Sequence, residues 1–347
     1  MEKLRLGRTG LMVTRVGFGG VPMQRLSESD AIAAVRSCLD LGINFIDTAN
    51  AYTNSEERIG KAIAGRKRED IILATKSLDR TAAGIEKHLH LSLKRLGTEY
   101  IDLYQFHNVA DANALKAVLA PDGPLAVVEK AKQAGLVRHI GVSSHAIDIA
   151  KELIKSDHFE TMMFPFNFIT YEPGEELLSL AREHDVGFIA MKPLAGGVLE
   201  NVTLAFKYLF QFPGVLPIPG IEKAKEIEEI VGLLGSKGKL TQADNEEMER
   251  LRAELGTRFC RRCDYCQPCT EGIQISLVMQ TANILRRLPP QSVFAGGMTP
   301  EFEKAAGCSH CGECEKRCPF HLPIPDMVAE YNTLFRAERR KWEETRG

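Results

Sequence analysis

Eight short apolar runs, each followed by a longer stretch with helical spacing, constrain this chain more tightly than any other feature of its sequence. The runs are TRVGF (14–18), INFID (43–47), IILAT (71–75), IDLYQF (101–106), VRHIGV (137–142), TMMFPF (161–166), GFIAM (187–191) and VLPIP (215–219). The segments between them include DAIAAVRSCLDLG and IEKHLHLSLKRLG, whose apolar residues recur three and four apart and whose ends carry glycine. A helical crossover returns the chain to the same end of the sheet, so strands joined this way run parallel. Eight such units predict an α/β fold, a closed (β/α)8 TIM barrel. The alternative is an open doubly wound sheet. Gly17-Phe-Gly19-Gly20-Val-Pro22 does not support it as a dinucleotide fingerprint, because proline takes the third glycine position and no acidic residue ends a second strand at the expected distance.

The ends of the chain read differently. KLRLGRTGLMVTRVGFG is expected to form a hairpin, turned at Gly7 to Gly10, that leads into the first barrel strand. Past residue 234, GSKGK reads as a linker and TQADNEEMERLRAELG as a polar helix capped by Thr241. ISLVMQTANILRRL is expected to be one amphipathic helix packed against the barrel. The closing AEYNTLFRAERRKWEETRG interleaves bases with acids and reads as a helix with a solvated face.

Eight of the nine cysteines lie after position 259, which in a reducing compartment points to metal rather than to disulfides. Cys308, Cys311, Cys314 and Cys318 follow the spacing C-x2-C-x2-C-x3-C-P of bacterial ferredoxins. Zinc sites instead pair two short knuckles across a longer gap. Cys260, Cys263, Cys266 and Cys269 form a second set whose last spacing is one residue short, with Thr270 where proline is expected. Two sets of four thiolates suit two [4Fe-4S] clusters; one cluster beside a partly structural first set is the alternative. The resemblance to two-cluster ferredoxins implies crossed ligation: Cys260, Cys263 and Cys266 with Cys318, and Cys308, Cys311 and Cys314 with Cys269. Cys38 sits alone in a helical pattern and reads as a small core side chain.

The expected organisation is therefore a barrel over 1–235, a linker and helix over 236–256, and a ferredoxin-type domain with a C-terminal helix over 257–347. A net charge of −2 gives no global electrostatic case for nucleic acid. MEKLRLGRTG lacks the apolar core of a signal peptide, and no run of about 18 apolar residues suits a membrane helix. A cytoplasmic protein without membrane or nucleic-acid partners is the expectation.

In barrels of this kind chemistry belongs at the C-terminal ends of the strands. Asp47 ends the second predicted strand, Tyr52 follows in its loop, and Lys76 and His107 lie just past the third and fourth. Singly, each has an ordinary explanation: a turn former, a loop aromatic, a solvated lysine, a core-edge histidine. Together they are coherent. A tyrosine hydroxyl with an ordinary pKa near 10 becomes a better proton donor beside an ammonium, Asp47 could hold that ammonium, and His107 could orient a carbonyl oxygen.

GINFIDTANAY, LATK and DLYQFH resemble the aldo-keto reductases, over roughly the first 235 residues. The resemblance implies a catalytic tetrad of Asp47, Tyr52, Lys76 and His107, with tyrosine as general acid, a small aldehyde or ketone substrate, and NAD(H) or NADP(H) bound across the barrel top. It implies cofactor contacts at Gly19, Gly20, Ser143, Ser144, Met191, Lys192, Pro193, Leu194, Gly220 and Glu222. Several positions depart from the family pattern. Ser144 replaces an asparagine, Met163 a glutamine, and Met191 the tyrosine that stacks on nicotinamide. Glu222, Glu226 and Ile230 stand where the adenosine end is normally gripped, so NADPH is expected to be disfavoured; Lys192 or Lys223 could supply another phosphate contact. With its cysteines, the whole chain resembles microbial aldo-keto reductases fused to a C-terminal ferredoxin-type domain. Two functions follow: a nicotinamide-dependent carbonyl reductase, or an electron-transfer protein fed through its clusters by a ferredoxin-type partner.

Overall fold

The computed structural model describes residues 1–346. Gly347, the last residue of the closing segment, lies outside them. Two compact units make up the chain, Met1–Asp244 and Asn245–Gly347. The division falls inside the polar helix Gln242–Gly256.

In the first unit β1 (Lys3–Arg5) and β2 (Met12–Thr14) pair antiparallel around a 3-10 turn at Gly7–Thr9. Eight parallel strands follow: β3 (Phe18–Gly19), β4 (Phe45–Asp47), β5 (Ile72–Ser77), β6 (Ile101–Phe106), β7 (Val137–Ser143), β8 (Thr161–Pro165), β9 (Gly187–Met191) and β10 (Val215–Pro217). They lie in chain order in one sheet. Gly17 N donates to Pro217 O at 2.9 Å and Gly19 N to Pro219 O at 2.7 Å, and Gly19 bridges Gly220 in parallel, which closes the barrel.

The first strand is shorter than the run TRVGF suggests, because Thr14 belongs to the hairpin. Helices follow each strand, and several start where the sequence supplies a cap: Ser27 Oγ accepts from Asp30 N, and Thr81 Oγ1 from Gly84 N.

The barrel interior is a packed layer of Phe45, Ile72, Ala74, Leu103, Met163, Ile189, Leu216 and Ile218, joined by Leu4, Leu6 and Val13 of the hairpin. The hairpin thus plugs the N-terminal end of the barrel. Gly7 makes that approach possible: it adopts φ +53°, and a Cβ there would stand 2.1 Å from Gly187 N. Gly7→Ala combines a left-handed strain with that clash and is expected to destabilise the barrel by roughly 1–3 kcal/mol, read as a lowered urea midpoint.

Among the described residues the second unit contains no strand. Its core is Ile273, Ile275, Val278, Met279, Val293, Phe294, Phe302, Met327, Val328 and Phe335, with Cys266 and Cys318 buried beside them. The segment ISLVMQTANILRRL is two short helices, Ile275–Val278 and Thr281–Arg287. This corrects the expectation of a single helix, and Ile275, Val278 and Met279 fill the second unit's own core. The apolar residues needed by a cysteine-rich domain without a sheet come from the segment 270–307 between the two cysteine runs and from the helix Ile324–Glu344. Among the described residues no helix is long and apolar enough to cross a membrane.

Candidate functional site

Period-two alternation along the strands places a polar layer above the apolar one. Phe45, Ala74 and Leu103 belong to the interior layer. Two residues farther along the same faces stand Asp47, Lys76 and Gln105, all buried. Lys76 lies within β5, which continues to Ser77, rather than beyond its end.

The Lys76 ammonium donates to Asp47 Oδ2 at 2.5 Å and to Thr48 O at 2.8 Å. Gln105 Nε2 donates to the other carboxylate oxygen, Oδ1, at 3.1 Å. Only 2% of Lys76 and 2% of Asp47 is accessible, so this is a fully desolvated ion pair. Burial pulls the pKa of the Lys76 ammonium down, but the Asp47 charge and hydrogen bond, with a contribution from Tyr52, hold it above the ordinary value. Burial lifts the Asp47 carboxyl above its ordinary value against the opposing pull of Lys76 and Gln105.

The half-buried Tyr52 closes the layer from above. Lys76 Nζ stands 5.0 Å from the centre of its ring, and His107 meets the same ring edge-on, with centroids 5.8 Å apart. The structure therefore brings Asp47, Tyr52, Lys76 and His107 together at the C-terminal mouth.

Sequence reasoning missed Gln105 and Arg80. Gln105 could have been found from its place two residues before His107, on the inward face of β6. The Arg80 guanidinium donates to His107 O at 2.6 Å and Asn108 O at 3.0 Å, fixing the loop that carries the histidine. That contact is long-range and leaves no local signal. Four mouth residues, Thr53, Asn108, Lys192 and Ala195, hold positive φ without being glycine, and strain of this kind collects at functional sites.

The cysteines of the second unit form two groups. One pocket is lined by Cys269, Cys308, Cys311 and Cys314, which come from both cysteine runs. Cys260, Cys263 and Cys318 are electrostatic neighbours of Cys266, whose thiol burial pushes up to about 12. Among the described residues no three Cys, His, Asp or Glu side chains converge tightly enough for a single metal ion.

Comparison with known proteins agrees with this architecture. Residues 15–203 match the model of the Aldo/keto reductase family. The chain belongs to the aldo/keto reductase family. It is an oxidoreductase of that family, and residues 259–323 match a 4Fe-4S dicluster domain.

The oxidoreductase YqkF of Bacillus subtilis is 34% identical to this aldo/keto reductase over 218 residues, 59% of this chain and 68% of the relative. L-galactose dehydrogenase of Arabidopsis thaliana is 32% identical over 219 residues, 58% and 68% of the two chains. Among solved structures, the holo form of an aldo-keto reductase from Bacillus halodurans superposes with a TM-score of 0.63 at 28% identity, covering 72% of this chain and 96% of its own.

The remaining mouth residues of the reductase have visible structural work. Gly19 and Gly20 let strands approach: a Cβ on Gly20 would stand 2.7 Å from Asp47 O, and one on Gly19 would stand 2.9 Å from Ile218 O. Gly220 lies against Pro22 in the same seam.

Ser143, at the end of β7, accepts from Asn108 N at 2.8 Å and keeps its own hydroxyl proton to donate. Ser144 turns its hydroxyl to the Ala146 backbone. Met191 ends β9 half-buried over the interior layer, while Met163 lies fully inside it. Lys192, Pro193 and Leu194 begin a tight turn in which Ala195 N returns to Lys192 O at 2.8 Å, and Asn167 Nδ2 donates to Lys192 O at 3.0 Å.

Glu222 forms an ion pair with Arg25, from the loop after β3. Glu226 caps its own helix, accepting from Glu222 N and Lys223 N, and Ile230 is buried in that helix's inner face. Of the three positions expected at the adenosine end, only Glu222 therefore stands ready to meet a ligand. Its carboxylate is ion-paired with Arg25, which softens the expected repulsion of a phosphate.

Proposed function

We propose that the barrel reduces an aldehyde or ketone, with Tyr52 as the proton donor and a nicotinamide as the hydride source. Bound at the mouth, the nicotinamide would supply a hydride, two electrons and one proton, to the carbonyl carbon; Tyr52 would give its hydroxyl proton to the carbonyl oxygen, so that an alcohol and NAD(P)+ result. The observation that carries this reading is the desolvated Lys76–Asp47 pair lying directly against Tyr52. A fixed ammonium beside the phenol stabilises the phenolate left after proton transfer, in a site where charges act at low dielectric.

His107, whose ring meets that of Tyr52 edge-on, would donate to the substrate oxygen and orient it. Ser143 would hold the carboxamide through its remaining proton, Met191 would pack against the ring, and the Lys192–Leu194 turn and Gly19–Gly20 seam would border the phosphates. The decisive test of the proton donor is the Tyr52 substitution taken up in the Discussion.

At the adenosine end Glu222 favours NADH. Two unit charges about 4 Å apart in water repel by about 1 kcal/mol, roughly fivefold in affinity. Because Arg25 offsets part of that charge, Glu222→Gln is expected to strengthen NADPH binding relative to NADH by up to about that factor, measured by fluorescence titration with each nucleotide. An unchanged ratio would place the 2′ position elsewhere.

In the second unit Cys260, Cys263, Cys266 and Cys318 would hold one [4Fe-4S] cluster, and Cys269, Cys308, Cys311 and Cys314 the other. The grouping of thiols from both runs around one pocket supports this crossed arrangement. Bound there, each cluster would accept or release one electron at a time. Ligand thiols of this kind suit a reducing cytoplasm.

A second reading has a ferredoxin-type partner delivering single electrons through the clusters to a substrate or another bound cofactor in the barrel. The exposed Cys311 favours it, as do Met163 and Met191 in place of polar and aromatic nicotinamide contacts. Productive binding of NADH or NADPH would sink that reading.

A further inference from the structure

Thr270 is the residue that breaks the second cysteine motif, standing directly after Cys269 where ferredoxin motifs have proline. A proline there would offer no side-chain donor. The threonine hydroxyl does not turn to its own run. Thr270 Oγ1 lies 3.9 Å from Cys311 Sγ, which is 41 residues away in the other run.

The position is held from both sides. Gln267 Oε1 accepts from Cys269 N at 3.0 Å while Gln267 Nε2 donates to Ile273 O at 3.1 Å, and Arg317 Nη2 donates to Pro268 O at 2.7 Å. Arg317 itself lies between Cys314 and Cys318, so the two cysteine runs are tied together beside the contact. The same sulfur also faces the Glu313 N–H and the Ser309 hydroxyl.

We propose that the Thr270 hydroxyl donates a hydrogen bond to the Cys311 sulfur and thereby raises the reduction potential of the cluster held by Cys269, Cys308, Cys311 and Cys314, and of that cluster alone. This rests on the two-cluster reading above. A thiolate bound to iron has acceptor capacity only, so the threonine must be the donor. One-electron reduction makes the cluster more negative, and a donor on its sulfur stabilises the reduced state more than the oxidised one. No proton needs to move with the electron.

The test is an anaerobic redox titration of the full chain with dithionite, following the cluster signals by electron paramagnetic resonance. It compares the wild type with Thr270→Val and Thr270→Ser, and uses Cys311→Ser to assign the signal. Thr270→Val is expected to lower one midpoint only, so that the reduced-to-oxidised ratio at a fixed potential falls about tenfold, about 59 mV for a one-electron couple. The affected signal should be the one that Cys311→Ser alters, and Thr270→Ser should leave it near the wild-type value. Two unmoved midpoints, or two that shift together, would overturn the proposal. A wild-type chain without two cluster signals would overturn the reading beneath it instead.

Discussion

Replacing Tyr52 by phenylalanine is expected to lower carbonyl reduction by about 10²- to 10⁴-fold, the range that a positioned general acid contributes, while cluster content stays unchanged. The ring keeps its edge-on contact with His107 and its place over Lys76, so folding should be little affected. Only the hydroxyl is lost. Because the interaction removed is made chiefly as charge develops on the oxygen, kcat and kcat/KM should fall together, with KM nearly constant. Steady-state assays under anaerobic conditions over a panel of aldehydes and ketones measure this. Activity that survives the substitution would remove Tyr52 from the chemistry.

Lys76→Met is expected to be strongly destabilising to the barrel. It leaves Asp47 with Gln105 as its remaining side-chain partner and an uncompensated charge at 2% accessibility, which costs on the order of 3–5 kcal/mol. The pH dependence follows from linkage. In the wild type Lys76 holds its proton more tightly when folded, so its stabilisation is present below its ordinary value of 10.5 and is lost as pH rises through the higher folded value. Asp47 also binds its proton more tightly when folded, so the charged carboxylate costs stability as pH rises from its ordinary 3.8 through the raised value. Without Lys76 that cost stands alone. The deficit of the variant should be greatest near neutral pH and should shrink towards acid, where Asp47 is protonated. Urea unfolding of both proteins at pH 7.5 and pH 5 measures it, and a deficit independent of pH would show that the buried charge is not its cause.

The barrel was legible because parallel strands covered on both faces leave continuous apolar runs separated by helical periodicity. Boundaries were less so. TRVGF looks uniform in sequence, yet its Thr14 pairs with Lys3 in the hairpin while Phe18 joins the barrel. Lys76 reads as lying beyond β5 because a charged residue rarely sits inside a strand, and Asp47 and Thr48 O, on and just past the neighbouring strand β4, make its burial tolerable.

The candidate tetrad was visible because its members sit at the C-terminal end of a strand or in the loop that follows, where barrel geometry concentrates function. Gln105 left only its inward register on β6 as a signal, and Arg80 left none, since its role exists only once the loops after β5 and β6 are neighbours in space. In the second unit the cysteine spacing showed metal chemistry. It did not show that the helical segments between the runs would build their own core.

The most direct test of the central claim is the fate of the hydride. The purified protein, held anaerobically with NADH or NADPH deuterated at C4 on the transferred face, is given a carbonyl substrate, and the alcohol is examined by mass spectrometry. The account predicts one deuterium per product molecule, on the carbinol carbon, at a rate that collapses in Tyr52→Phe. Alcohol formed without deuterium while reduced clusters are consumed would contradict it, and would show that electrons reach the barrel singly through the iron-sulfur unit.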